Sequence, residues 1–118
     1  MAQSPKEVVM EWCNSHDGGD PLETLRKVLA DDVTVDLAGA GSWIGKVEVM
    51  QHEITGYGNL EAITVTPRLC AAEGDAVFLE LDVNTRPHGG VDYPHQYCHS
   101  FIVRDGKIHT WRRWTTFK

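Results

Sequence analysis

The chain has 118 residues, 42% hydrophobic and 24% charged, the composition of one folded domain with a single core. Seventeen acidic residues against eleven basic ones give a formal charge of −6, a balance that repels a polyphosphate partner and argues against nucleic-acid binding. No apolar run reaches membrane-spanning length and the N-terminus lacks the apolar stretch of a signal peptide, so a cytoplasmic protein with no membrane partner is expected.

Ser4-Pro5-Lys6-Glu7 combines a capping box with Pro at the first helical position. It predicts a helix to about Ser15, with Val8, Val9, Trp12 and Cys13 on the apolar side. Asp17-Gly18-Gly19 breaks the chain, and Asp20-Pro21-Leu22-Glu23 repeats the start signal. Leu22, Leu25, Val28 and Leu29 follow at helical spacing. Val33-Thr34-Val35-Asp36-Leu37 alternates as a short strand. Gly39, Gly41 and Gly45 predict a loop holding Trp43, and Val47, Met50 and Ile54 fit the apolar face of a third helix ending near Gly56.

The remainder predicts four strands, roughly 60–72, 76–86, 93–104 and 107–117. Turns separate them at Glu73-Gly74-Asp75, at Pro87-His88-Gly89-Gly90 and at Arg104-Asp105-Gly106-Lys107, where Asp-Gly is a strong hairpin signal. Three N-terminal helices followed by a mostly antiparallel sheet define an α+β domain spanning 1–118. Alternation puts Ile63, Val65 and Leu69 on one face of the first of these strands, and Val77, Leu79, Leu81 and Val83 on one face of the next. In the third, His95, Tyr97, His99, Phe101 and Val103 share a face. The last strand offers two rows: His109, Trp111, Arg113, Thr115 and Phe117, or Ile108, Thr110, Arg112, Trp114 and Thr116.

Two helices, Leu29-Ala30-Asp31-Asp32-Val33-Thr34-Val35, a glycine-led helix start, and Phe101-Ile102-Val103-Arg104-Asp105-Gly106-Lys107-Ile108 resemble the NTF2-like superfamily over nearly the whole chain. That superfamily includes ketosteroid isomerase, SnoaL-type polyketide cyclases, limonene-epoxide hydrolase and scytalone dehydratase. The resemblance implies a cone-shaped α+β barrel with a deep apolar pocket and dimerisation through the outer sheet face. It carries over poorly to individual catalytic residues. Trp12, His99 and Leu37 stand where ketosteroid isomerase has its Tyr, its protonated Asp and its basic Asp. Trp111-Arg112-Arg113-Trp114 resembles the last-strand motif of limonene-epoxide hydrolase, with Arg113 where an Asp belongs and Leu81 and Val83 at the other two positions. Pro87-His88-Gly89-Gly90 is weakly similar to the Thr-His-x-Gly segment of the cyclases, and the His and Tyr content matches the chemistry of scytalone dehydratase.

His99 is the first catalytic candidate, because an imidazole titrating near neutrality can give or take a proton; the alternative is a core histidine. Tyr97 could polarise a carbonyl, or simply pack. His95 lies nearer the mouth. Arg113, if inward, needs a carboxylate partner or an acidic ligand, unless a bulge turns it out. Trp12, Leu37, Trp43, Leu81 and Trp111 are expected to line a substrate pocket, against the commoner role of Trp in core packing. His95 and His99 are four apart on a strand, about 13 Å, too far to share a metal ion. Three cysteines without C-x-x-C spacing argue against a disulfide framework or a structural zinc.

The expectation is therefore a cofactor-independent acid/base enzyme acting on a hydrophobic cyclic or aromatic metabolite, of isomerase, dehydratase or polyketide-cyclase type. A non-catalytic binding module and an epoxide hydrolase with a non-standard site are the alternatives. A homodimer is expected through the outer row Ile108, Thr110, Arg112 and Trp114.

Overall fold

The computed structural model describes residues 3–116. Helix α1 (Pro5–Asn14) begins as its capping box requires: the Ser4 hydroxyl accepts from the Glu7 backbone N–H at 3.2 Å, and the Glu7 carboxylate accepts from the Ser4 N–H at 2.8 Å. Asp20 caps α2 (Pro21–Val28) by accepting from the Glu23 N–H. Leu29, expected on that helix, instead opens strand β1 (Leu29–Leu37) and is buried there. The glycine-rich stretch expected as a loop contains strand β2 (Gly41–Ile44), paired antiparallel with β1. Gly39, at φ 77°, allows the tight turn between them, in which the Ala40 N–H donates to the Leu37 carbonyl.

Helix α3 (Lys46–Gly58) presents a different face from the one expected. Val49, Met50 and Glu53 are buried, whereas Val47 and Ile54 are exposed at 74% and 45%. The inward stripe runs through 49, 50, 53 and 57, and it lacks an apolar signature because two of its four members, Glu53 and Tyr57, carry polar atoms.

Strands β3 (Leu60–Glu73), β4 (Ala76–Pro87), β5 (Tyr93–Arg104) and β6 (Lys107–Thr116) form an antiparallel meander. The sheet runs β2-β1-β6-β5-β4-β3, with β1 and β6 parallel. It is an open six-stranded mixed sheet whose concave face is covered by the helices, the α+β cone architecture. Among the described residues, no helix is long and apolar enough to cross a membrane.

Two bulges decide which side chains face the helices. In β3 the register slips between Pro67, opposite Leu81, and Leu69, opposite Glu80. Leu69 therefore turns outward, 59% exposed, and Cys70 packs against the core beside Ile63 and Val65. Pro67, which has no N–H to donate, sits at the slip. In β6 the slip falls between Ile108, opposite Val103, and Thr110, opposite Ile102. It sends Ile108 inward at one end and Trp111 and Arg113 inward at the other. The strand follows neither row throughout, and Ile108 leaves the outer set expected at a dimer face. Phe117 and the side chain of Thr116 lie outside the described residues.

The α3 face can be checked by urea unfolding. Val49→Ala should cost about 2 kcal/mol or more, for two buried methyl groups and the space they leave. Val47→Ala should stay within about 0.5 kcal/mol. Equal effects at the two positions would contradict the assigned face.

Candidate active site

The concave face of the sheet, with α1 and α3, encloses a cavity of about 380 Å³. Ile63, Val65, Leu81, Val83 and Leu37 form an apolar wall. His16, Glu53, Tyr57, Tyr97, His99 and Arg113 bring polar atoms to it from the turn after α1, from α3, β5 and β6.

His99 lies in the middle of β5 and is only 3% exposed. The Trp111 indole N–H donates to its Nδ1 at 2.9 Å. An indole nitrogen can only donate, so Nδ1 carries the lone pair and Nε2 carries the hydrogen. Burial holds the imidazole pKa well below its ordinary 6.5, with the Arg113 charge and His16 acting in the same direction. In place of the near-neutral titration expected of His99, the ring is held as a neutral tautomer with its hydrogen on Nε2.

Arg113 faces inward, and its partner is a carboxylate the sequence reading did not single out. Its Nη2 donates to Oε1 of Glu53; the two side chains are 14% and 6% exposed. The guanidinium carbon lies 4.0 Å from the centroid of the Trp111 ring. Arg113 Nε is buried without a hydrogen-bond partner. Glu53 is the only carboxylate among the described residues lining the cavity.

A second polar pair was equally unmarked. His16, in the turn after α1, donates from Nδ1 to the Cys13 carbonyl at 3.0 Å. Its Nε2 must then accept, and the Tyr57 hydroxyl donates to it at 2.7 Å. Burial lowers the His16 pKa, opposed by its hydrogen bonds to Cys13 and Trp12. Burial, followed by the charge of Glu53, pushes the Tyr57 phenol far up. No motif links residues 41 apart on two helix ends, so only the fold could pair them.

The remaining expected residues fall as follows. The Tyr97 ring sits between His95 and His99, with centroids 5.1 and 5.2 Å away, and lines the cavity. His95 is half-buried near the mouth, its Nδ1 donating to the Tyr93 carbonyl at 2.9 Å. Leu37, Leu81, Trp12 and Trp111 line the cavity. Trp12 is 4% exposed, packs edge-on against His99 and Trp111, and has an indole N–H with no partner. Trp43 does not reach the cavity. The register of β2 places it opposite Val35, and its ring stacks at 3.8 Å on His52, which forms the wall in its place. His88, in the segment compared with the cyclases, is exposed in the β4–β5 turn. Burial raises the Cys13 thiol to about 11, which makes it a packing residue rather than a nucleophile.

The family model for the SnoaL-like domain matches residues 9–111. The chain belongs to the SnoaL-like family. Among solved structures, this SnoaL-like domain is similar to a protein described as a SnoaL-like polyketide cyclase from Jannaschia sp. CCS1, at 15% identity and TM-score 0.84, covering 94% of this chain and 84% of that one. It is similar to an epoxide hydrolase of the LEH-like type from M. tuberculosis, at 21% identity and TM-score 0.82, with 95% and 82% covered. A protein of ketosteroid isomerase-like fold from Catenulispora acidiphila, in complex with trimethylamine, shares 18% identity at TM-score 0.79, with 94% and 85% covered. At these identities the likeness is one of fold. Comparison with curated protein sequences finds no match.

The depressed histidines have a consequence for stability. Both His99 and His16 hold protons less tightly when folded than at the ordinary 6.5. Their neutral forms therefore support the fold fully above about pH 6.5, and that support is lost as pH falls further. The thermal midpoint of the wild type should decline from about pH 6.5 towards 5, with a shallower decline in His99→Asn. Identical slopes would contradict the buried neutral state of His99.

Proposed function

We propose that this SnoaL-like domain is a cofactor-independent acid/base enzyme acting on a compact apolar ring compound that bears a carbonyl or phenolic oxygen. The observation that carries the reading is the His99 tautomer. A buried, neutral imidazole, locked by Trp111, keeps Nε2–H as its one free donor at a cavity with an apolar wall. Such a donor polarises a substrate oxygen and stabilises the negative charge that develops there when a neighbouring C–H or O–H proton departs. Because the donor is fixed before the ligand arrives, no reorganisation opposes the step.

In this reading Trp12, Leu37 and Leu81 hold the ring system with Trp111 behind them, while Tyr97 and His95 meet its substituents nearer the mouth. Arg113, neutralised by Glu53, contributes a fixed dipole beside His99 and is not free to capture an acidic ligand. The chemistry fits isomerase, dehydratase or cyclase reactions, all of which shift protons next to a polarised oxygen.

A second reading, hydrolysis of an epoxide, is favoured by one observation. The Glu53–Arg113 pair sets a buried carboxylate beside a cation at the cavity, an arrangement able to orient and deprotonate water. Conversion of a cyclic epoxide in ¹⁸O water, with label in a diol product lost in Glu53→Gln, would favour this reading over the first.

The assembly proposed is a homodimer through the outer sheet face, where Ile44, Phe78, Leu69 and Trp114 remain exposed. Phe78→Lys should shift the sedimentation species from dimer to monomer; a wild type that is monomeric at micromolar concentration would overturn the assembly.

For the first reading, the ligand is found by thermal shift among apolar cyclic ketones and phenols. On the compound turned over, His99→Asn should lower kcat about 100- to 1,000-fold, the range for losing one preorganised donor. Binding should change far less, since the apolar wall supplies it. Undiminished turnover in His99→Asn would overturn the assignment.

A further inference from the structure

His99 stabilises charge but, as a neutral donor, cannot take the proton whose departure creates it. We propose that Tyr57 is the catalytic proton acceptor of this cavity and that His16 is the positioning residue that receives Tyr57's own proton, an assignment that rests on the acid/base reading above. The geometry supports it from both sides. Tyr57 lines the cavity and its hydroxyl donates to His16 Nε2 at 2.7 Å, so the oxygen lone pairs are the part of that hydroxyl left for a ligand. His16 Nδ1–H is committed to the Cys13 carbonyl at 3.0 Å, which fixes Nε2 as the lone-pair nitrogen aimed at Tyr57. The chain of contacts runs from substrate to Tyr57 to His16 to the Cys13 carbonyl, each member set in the protonation state the next one needs.

Burial opposes a charge on His16, and two features offset part of that opposition. It follows directly on α1, whose last carbonyls form the negative end of the helix dipole and favour a cation. Glu53, one turn before Tyr57 on α3, acts in the same sense on His16. The other groups facing the pair are Arg113 from β6, Tyr97 and His99 from β5, and Trp12 from α1. The Trp12 indole nitrogen lies near the Tyr57 oxygen, outside hydrogen-bond geometry and without a partner. An unpaired buried donor at that point is available to a phenolate-like oxygen as negative charge passes through it.

The step balances without any other reactant. A C–H bond next to the substrate carbonyl breaks, its electron pair stays on the substrate as an enolate, and His99 Nε2–H binds the enolate oxygen. The proton joins the Tyr57 oxygen while the Tyr57 hydroxyl proton passes to His16 Nε2. Tyr57 remains neutral and His16 becomes an imidazolium. Replacement of the transferred proton from solvent, followed by return along the same route to the same carbon, completes an exchange; return to another carbon completes an isomerisation. Tyr57 never needs to ionise in isolation, which its burial would oppose.

Deuterium exchange tests this without knowledge of the natural substrate. The probe is 2-tetralone, an apolar bicyclic ketone with ionisable C–H groups beside its carbonyl, incubated with the protein in D₂O and read by mass spectrometry. The wild type should accelerate incorporation over buffer. Tyr57→Phe should lose about 100-fold or more of that acceleration, and His16→Gln a comparable amount, with thermal midpoints confirming folded protein. The pH profile separates a positioning role from a structural one. The wild-type rate should hold level down through about pH 6.5 and fall below it, because His16 must be neutral and burial lowers its pKa. The residual rate of His16→Gln should lack that acidic fall. Exchange that depends on His99 but is unchanged in Tyr57→Phe would overturn the proposal and leave the acid/base reading standing. Failure of the wild type to bind 2-tetralone or to accelerate its exchange would overturn both.

Discussion

The hydrogen bond from the Trp111 indole to His99 Nδ1 is the constraint on which the rest of the cavity depends. It joins neighbouring strands inside the core, where an unpaired polar atom would be costly. It selects one tautomer, and burial together with the Arg113 charge keeps that tautomer neutral. A histidine that titrated in this position would place a second cation beside Arg113 in an apolar enclosure. The same Trp111 ring lies under the Arg113 guanidinium and against Trp12 and Phe101, so one side chain organises the donor, the ion pair and the aromatic floor.

That side chain reaches the cavity because of a backbone irregularity. Without the slip between Ile108 and Thr110, the strand could not bury Ile108 at one end and Trp111 with Arg113 at the other. The bulge lets β6 serve two masters in ten residues: the hydrophobic core near its start, and a polar cavity wall further on. Arg113 is tolerable there only because α3 supplies Glu53. Helix and sheet are thus held together across the cavity by charge as well as by apolar contact.

Much of the architecture was legible in the sequence. The capping box at Ser4 and the Asp20 start signal mark both helix origins, and the β4 row Val77, Leu79, Leu81 and Val83 is buried as alternation requires. β4 was readable because its inward row is wholly apolar. β3 and β6 were not, since a bulge reverses parity at one residue and leaves no compositional trace beyond Pro67 in β3. β2 was hidden by its glycines, and Leu29 by a helical spacing that continues one residue past the helix. Of the cavity, His99, Tyr97 and His95 were visible as polar residues on an inward row, and Arg113 on one of two rows left open. Glu53, Tyr57 and His16 were not. They belong to helix faces or turns where a polar residue ordinarily means solvent, and only tertiary packing makes them interior.

The central claim is the fixed, neutral, Nε2-protonated state of His99. Nitrogen-15 NMR of the histidine side chains measures it directly. The account predicts that His99 shows a protonated Nε2 and an unprotonated, hydrogen-bonded Nδ1 at neutral pH, unchanged as pH is lowered through the ordinary histidine range near 6.5. The Nδ1 signal should shift in Trp111→Phe. A His99 ring that titrates near 6.5, or that carries its proton on Nδ1, would contradict the account.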